Sequence, residues 1–178
     1  ESQTVSDSCP SNIALIKYWG KYDNQIPANP SISYTLNHCK TNTTVEFFAN
    51  EPFSVQTFLA GKEEAQFAAK IEKYFSNIEQ YLPWILQGKY VIRTENTFPH
   101  SSGIASSASG FGAIAKCLMQ LDEKFSGKTS EEESLRKASF LARLGSGSAC
   151  RSLYNGLVVW GECQIKESSD LFAVQYPN

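Results

Sequence analysis

Four shortages in the sequence each close off a class of function. No apolar run approaches the ~20 residues that a membrane-spanning helix needs, and the N-terminal stretch has no basic-then-apolar leader pattern. Histidine is scarce. There are only two, His38 and His100, too few and too far apart for a histidine-based metal site. The five cysteines (Cys9, Cys39, Cys117, Cys150 and Cys163) are odd in number and contain no C-x-x-C pair. Neither a zinc site nor a disulfide framework is therefore expected, and they read as reduced thiols in a reducing cytoplasm. Charge of one sign is also missing: 16 basic residues against 18 acidic ones leave a net charge of −2 with no basic stripe, which argues against a nucleic-acid surface. No metal site, nucleic acid or membrane is expected.

What is present is an ordinary globular composition, 42% apolar and 19% charged over 178 residues, enough for one full core. Residues 4–9 and 12–18 are β-prone, as is Ile32 to Leu36 after Pro27 and Pro30. Thr43 to Phe48 and Phe53 to Phe58 alternate across the turn signal Ala49-Asn50-Glu51-Pro52, which predicts a β-hairpin. Residues 63–82 carry helical periodicity through Phe67, Ile71, Tyr74, Phe75, Ile78 and Leu82, ended or kinked at Pro83. A strand is expected at 89–95, and a helix whose face is Phe111, Ile114, Ala115, Leu118 and Leu121. Ser130 and Glu133 form a capping box for a further helix that Gly145 stops. Leu157 to Trp160 is a buried strand and Ala173 to Tyr176 is suited to another. The class is α+β, a mixed sheet with helices grouped behind it.

Three stretches are rich in residues suited to binding phosphate. The loop from Pro99 to Ala108 lies between a strand and a helix, where unpaired N–H groups and the positive dipole end favour an anion. Gly103 allows close backbone approach there, and Ser106 and Ser107 offer hydroxyls. A serine loop that merely caps a core helix would carry the same residues. Lys17 and Lys21 flank two aromatics and a glycine in Lys17-Tyr18-Trp19-Gly20-Lys21, and solvated lysines with a core tryptophan are the bland reading. In Ser146-Gly147-Ser148-x-x-Arg151, the arginine lies one helical turn beyond Ser148 if a helix starts there, so a guanidinium and two hydroxyls can meet one anion. A flexible turn is the alternative. Taken together, the three stretches imply a site for more than one phosphate group.

The loop at 99–108 resembles the phosphate loop of the GHMP kinase superfamily, Pro-x-x-x-Gly-Leu-Ala-Ser-Ser-Ala, with Ile104 in place of leucine. Three stretches narrow the resemblance: Asn-Ile-Ala-Leu-Ile-Lys-Tyr-Trp-Gly-Lys at 12–21, Asn-Thr-Phe-Pro at 96–99 leading into the loop, and Gly-Ser-Gly-Ser-Ala-Cys-Arg-Ser at 145–152. Over residues 9–162 the order and motifs are similar to the mevalonate diphosphate decarboxylase family.

The resemblance implies a fold and a reaction. The fold is a ribosomal-protein-like N-terminal half spanning 1–178, with a C-terminal ferredoxin-like half absent. The reaction is ATP- and Mg²⁺-dependent: the tertiary 3-hydroxyl of mevalonate 5-diphosphate is phosphorylated, and loss of phosphate and CO₂ gives isopentenyl diphosphate. The resemblance further implies that Asn12, Tyr18, Lys21, Ser146, Gly147, Ser148 and Arg151 bind substrate, with Asn12 holding Arg151. Asn96, Ser101, Ser102, Gly103, Ala105, Ser106, Ser107 and Ala108 would bind the nucleotide, and Lys17 and Ser106 would be catalytic. His100-Ser101-Ser102 departs from the family's usual Thr-Ala-Ala. The family's catalytic aspartate, in an Asp-x-Gly-x-Asn context, has no counterpart here. The missing initiator methionine and the stop soon after a strand point the same way, so a fragment inactive by itself is expected. A related mevalonate kinase or phosphomevalonate decarboxylase, or a non-catalytic binding module on the same fold, is the alternative. The expected location is cytoplasmic, and a homodimer of the intact enzyme is left open.

Overall fold

The computed structural model describes residues 2–99 and 106–177. Its strands are β1 (Ser2–Ile16), β2 (Lys21–Tyr22), β3 (Ile26–Pro27), β4 (Ser31–Phe48), β5 (Ser54–Leu59), β6 (Lys62–Glu63), β7 (Lys89–Asn96), β8 (Leu157–Trp160) and β9 (Ala173–Gln175). The helices are α1 (Ala65–Ile78), α2 (Ser106–Ser126) and α3 (Glu131–Gly145), and short 3₁₀ segments span Asp23–Gln25 and Gly147–Leu153.

The 18-residue β4 organises the sheet. Its odd positions Ser31, Ser33, Thr35, Thr41, Thr43, Val45 and Phe47 are buried, the period-2 pattern of a strand with one covered face. Antiparallel β1 runs beside it from Ser2↔Phe48 to Ile16↔Ile32, slipping register at Pro10/Ser11 and Ala14/Ile16. β4 also pairs with β7 through residues 41–48 and with β8 through residues 31–34. The order β6-β5-β7-β4-β8-β9, with β1 on β4, makes a seven-stranded mixed sheet; β2 and β3 form a separate two-stranded ribbon. Ser6, Asn42, Arg93 and Glu95 point to solvent on the sheet's open face.

The expected hairpin does not form. Glu51 N–H does bond the Phe48 carbonyl at 3.3 Å, so the turn exists. However, β7 takes the place beside β4, and β5 pairs with β7 in parallel, Val55 opposite Tyr90. A turn signal governs its own four residues; the neighbouring position in the sheet is held by the strand whose Tyr90 packs against Phe47 and Phe75 and whose Ile92 joins the same core. Two further expectations merge. The β-prone runs at 4–9 and 12–18 form one strand bulged at Pro10/Ser11, and the runs at 32–36 and 43–48 are the ends of β4.

The helices lie where their periodicity puts them. Ile71, Tyr74, Phe75 and Ile78 of α1 and Ile114, Ala115, Leu118 and Leu121 of α2 are buried against the sheet. Gly112 lets α2 approach β1, since a Cβ there would lie 2.4 Å from Cys9 Sγ. Burial pushes the Cys9 and Cys117 thiols up to about 12, so both behave as core residues rather than nucleophiles. The capping box at the start of α3 is present: Ser130 Oγ accepts from Glu133 N–H at 3.2 Å, and the Glu133 carboxylate accepts from Ser130 N–H at 3.2 Å. At the other end, Gly145 is required by packing, because a Cβ would meet the Phe111 ring at 2.2 Å.

Asp122 anchors α2 against its surroundings. Its carboxylate accepts from Trp84 Nε1 at 2.9 Å, Ser126 Oγ at 3.0 Å and Lys137 Nζ at 2.7 Å. Burial by itself would raise the Asp122 pKa, but the bonds from Lys137, Trp84 and Ser126 outweigh it and hold it below the ordinary 3.8. A carboxylate depressed in the folded state adds stability that is complete above its unfolded pKa and is lost as pH falls through the folded value. Denaturant unfolding between pH 6 and pH 2 checks this: Asp122→Asn is expected to reduce stability at pH 6 and to flatten the loss below pH 4.

Candidate functional site

Arg151 sits in the 3₁₀ segment that follows α3, and its side chain is fully buried. A 3₁₀ segment has three residues per turn, so Ser148 and Arg151 stack in line, more closely than an α-helix would set them. One Nη donates to Ser31 Oγ at 2.7 Å and the other to Asn12 Oδ1 at 3.3 Å. Asn12 is itself fixed, its amide donating to the Ser148 carbonyl at 3.1 Å and to Ser152 Oγ at 2.7 Å. The guanidinium carbon lies 5.9 Å from the Tyr18 ring centre and 5.8 Å from that of Trp160, and those two rings meet edge-to-face at 4.9 Å. Gly147 makes room for them, since a Cβ would come within 2.8 Å of Trp160 and 3.4 Å of the Tyr18 hydroxyl.

The electrostatics of this arrangement are unbalanced. No carboxylate pairs with Arg151 among the described residues. Its Nε–H is buried without a hydrogen-bond partner among the described residues, as is the Ser33 Oγ of β4. Burial pushes the Arg151 pKa down, yet a guanidinium keeps its proton in a protein. A buried, unpaired cation with a spare donor is costly alone and suits an anion.

Lys21 opens the β2–β3 ribbon, where its ammonium donates to Gln25 Oε1 at 2.6 Å. Asn29 ties the ribbon's base, accepting from Trp19 N–H at 2.8 Å and donating to the Lys17 carbonyl at 3.1 Å. Lys17 is exposed, and Trp19 is 84% exposed rather than core. The described contacts hold Lys21 to its own ribbon and not to the Arg151 turn.

A second centre lies at the start of α2. Asn96, Ser106 and Ser107 line a cavity of about 290 Å³ together with Lys70, Phe67 and Phe111. Asn96 Oδ1 accepts from Thr41 Oγ1 at 2.7 Å, and Thr41 is bonded to Ser109 Oγ at 2.6 Å, which ties β7 to α2. Ala108 is fully buried, so its side chain faces the core rather than the cavity. Ser101, Ser102, Gly103 and Ala105, with His100, lie outside the described residues. Phe111 joins the two centres: its ring lines the cavity and packs on Gly145, where the Arg151 turn begins. A larger hollow of about 790 Å³ on the open face of the sheet holds none of the candidate residues. No cluster of His, Cys, Asp and Glu suited to a metal occurs among the described residues.

The places of Ser31 and Thr41 beside candidate residues, and of Lys70 on the cavity wall, were not legible in the sequence. The first two sit in a run of hydroxyls with ordinary strand pattern, and Lys70 sits on the exposed side of α1.

Asn12 is the residue that both the turn and the guanidinium depend on. Asn12→Ala leaves the Ser148 carbonyl and one Arg151 Nη without a partner, so it should lower unfolding stability by about 1–3 kcal/mol. Denaturant melts of the variant beside the parent chain test this, and a change within error would mean that the Arg151 pocket does not depend on Asn12.

The chain matches the diphosphomevalonate decarboxylase-like N-terminal domain family over residues 9–171. It is 37% identical over 184 residues to the diphosphomevalonate decarboxylase of Candida albicans, covering 97% of this chain and 49% of that one. It superposes on the mevalonate diphosphate decarboxylase of Staphylococcus aureus with a TM-score of 0.81 at 35% identity, covering 99% of this chain and 51% of that one. Another solved neighbour, MDDEF in complex with MVAPP, AMPPCP and magnesium, has a TM-score of 0.79 at 32% identity, with 99% of this chain and 51% of that one covered. The chain thus spans about half the length of these relatives. Matched over residues 9–171 and similar in fold to these solved relatives, the chain belongs to the diphosphomevalonate decarboxylase-like N-terminal domain family.

Proposed function

We propose that residues 1–178 form the substrate- and nucleotide-binding N-terminal domain of an enzyme that converts mevalonate 5-diphosphate and ATP to isopentenyl diphosphate, CO₂, phosphate and ADP. The observation that carries this reading is the buried Arg151 guanidinium, held by Asn12 and Ser31, with no carboxylate partner and an unused Nε–H among the described residues. A substrate diphosphate supplies the missing negative charge, and the planar fork can hold two phosphate oxygens at once. Tyr18 borders the same guanidinium, and in this reading Ser146, Gly147 and Ser148, on the turn that carries Arg151, complete the donor set, with Lys21 adding a cation from the ribbon.

The cavity beside Asn96, Ser106 and Ser107 suits a nucleotide. It combines apolar walls at Phe67 and Phe111 with hydroxyls at the start of a 21-residue helix, where positive potential favours phosphate oxygens. Lys70 is a further cation on its rim. ATP with Mg²⁺ would supply the phosphoryl group that turns the substrate's tertiary hydroxyl into a leaving group. In this reading Ser106 and Lys17 act on the transferring phosphoryl, Ser106 from the helix start and Lys17 from the loop after β1. The chain's own task is to hold the two phosphate-bearing molecules on either side of Phe111 and Gly145, so that the hydroxyl and the phosphoryl group meet in water-poor surroundings. No helix among the described residues is long and apolar enough to cross a membrane. With the three most buried thiols kept reduced, a cytoplasmic location fits this reading.

Two measurements test the reading. In the full-length enzyme, Arg151→Ala should weaken mevalonate 5-diphosphate binding by about 10- to 150-fold, the equivalent of a charge-assisted contact of about 1.5–3 kcal/mol. Arg151→Lys should restore only part of that loss, and ATP affinity should change little. Weakened ATP binding with intact substrate binding would assign the 146–151 turn to the nucleotide instead. The second measurement is CO₂ release by purified 1–178 given both substrates. None is expected, because the proton of the tertiary hydroxyl needs an acceptor and the family's aspartate motif is absent from this chain. Robust release would identify a base within these residues.

A further inference from the structure

Arg143, outside the motifs already discussed, is the second guanidinium buried in this half of the molecule. It is 1% exposed, in the last turn of α3, two residues before the Gly145–Arg151 turn begins. No carboxylate pairs with it among the described residues. Its Nε donates to the Leu171 carbonyl at 2.7 Å, its Nη1 donates to the Asn24 carbonyl, and its plane lies 5.2 Å from the Phe140 ring centre. A fully buried cation satisfied mainly by two backbone carbonyls is an expensive way to fill space, and an apolar residue would fill it at lower cost. What an apolar residue could not do is hold two loops at once.

One of those loops is the tip of the Lys21 ribbon. Residues 21–24 are exposed and bring no core of their own. β2 and β3 are two residues each and join no other strand. Asn24 and Gln25 both adopt left-handed φ, 57° and 60°, which non-glycine residues hold only when their surroundings enforce it. Gln25 is the residue that receives the Lys21 ammonium. The Asn24 carbonyl is therefore the point where the tip, and through Gln25 the Lys21 side chain, is tied to the helix that carries the Arg151 turn.

We infer that Arg143 is a positioning residue for substrate: by gripping the Asn24 carbonyl from the end of α3, it sets where the Lys21 ribbon stands relative to the Ser146–Arg151 turn, so that one diphosphate meets both cations. This rests on the proposed assignment of Lys21 and Arg151 to the substrate diphosphate. Lysine at 143 would keep the charge but cannot reach two carbonyls in fixed directions, so the conservative change separates geometry from charge.

The test uses the full-length enzyme with Arg143→Lys, Lys21→Met and the double variant, assayed for KM of mevalonate 5-diphosphate, KM of ATP and kcat, with thermal melts beside them. Arg143→Lys should raise KM for mevalonate 5-diphosphate at least tenfold and leave KM for ATP within twofold. The double variant should be no worse than Lys21→Met, because Arg143 acts through Lys21. Amide hydrogen exchange at residues 21–25 should speed up in Arg143→Lys while α3 stays protected. If the two defects multiply, or both KM values rise together, Arg143 is a general structural support and the inference fails. If Lys21→Met itself leaves KM for mevalonate 5-diphosphate unchanged, the assignment of Lys21 to substrate fails instead. Should Arg143→Lys not fold, Asn24→Val decides the matter from the other side. A β-branched residue resists the left-handed φ and tilts the tip with Arg143 intact, so the same selective rise in KM is expected, and an unchanged KM overturns the inference.

Discussion

Strand β4 is the constraint on which both centres depend. It is the strand that β1, β7 and β8 all share, and its inward face carries hydroxyls where a purely structural strand would carry methyl groups. Ser31 at one end holds the Arg151 guanidinium, and Thr41 further along holds Asn96 and Ser109. A single strand thus fixes the anion pocket relative to the cavity at the start of α2. Displacing its register by one residue would turn every one of these hydroxyls to the open face.

The second theme is charge buried without a counter-charge. Arg143 and Arg151 are both inside, in a chain whose acidic side chains outnumber its basic ones, yet among the described residues neither forms an ion pair with a carboxylate, and only Arg143 feels one at a distance, that of Asp170. Asp122 is the contrast. It is also largely buried, but Lys137, Trp84 and Ser126 satisfy it, and its role ends with holding α2. The difference separates a group paired for stability from groups held ready for something else. Arg143 spends its donors on the carbonyls of two loops, whereas Arg151 keeps one donor without a partner among the described residues. A pocket that is complete only with a ligand gives up stability in the free protein and recovers it when the anion binds.

Much of this was legible in the residues, because the signals are local. The apolar spacing of α1 and α2, the Ser130/Glu133 box and the apolar runs of β7 and β8 depend on neighbours within a few positions, and each element formed, with the helix expected over 63–82 shortened to Ala65–Ile78. The spacing of Ser148 and Arg151 placed both on one short turn, and the structure sets them three residues apart in a 3₁₀ segment. The partnership of Asn12 with Arg151 was implied only by family resemblance, because nothing in the spacing of two residues 139 positions apart reports a contact.

The sequence by itself determined the elements, the class and the residue types offered to phosphate, since propensity, periodicity and hydrogen-bonding chemistry act over short range. The tertiary structure decided which strands became neighbours, and so removed the hairpin between Thr43–Phe48 and Phe53–Phe58 by placing β7 beside β4. It also decided that Trp19 is exposed while Trp160 is buried, that Ser31 bonds Arg151 and Thr41 bonds Asn96, and that Arg143 reaches across to the Lys21 ribbon. Each of these is a choice among long-range pairings, settled by which arrangement buries the most apolar surface while leaving the fewest polar groups unpaired. That balance belongs to the whole packed chain and cannot be read from any one stretch of it.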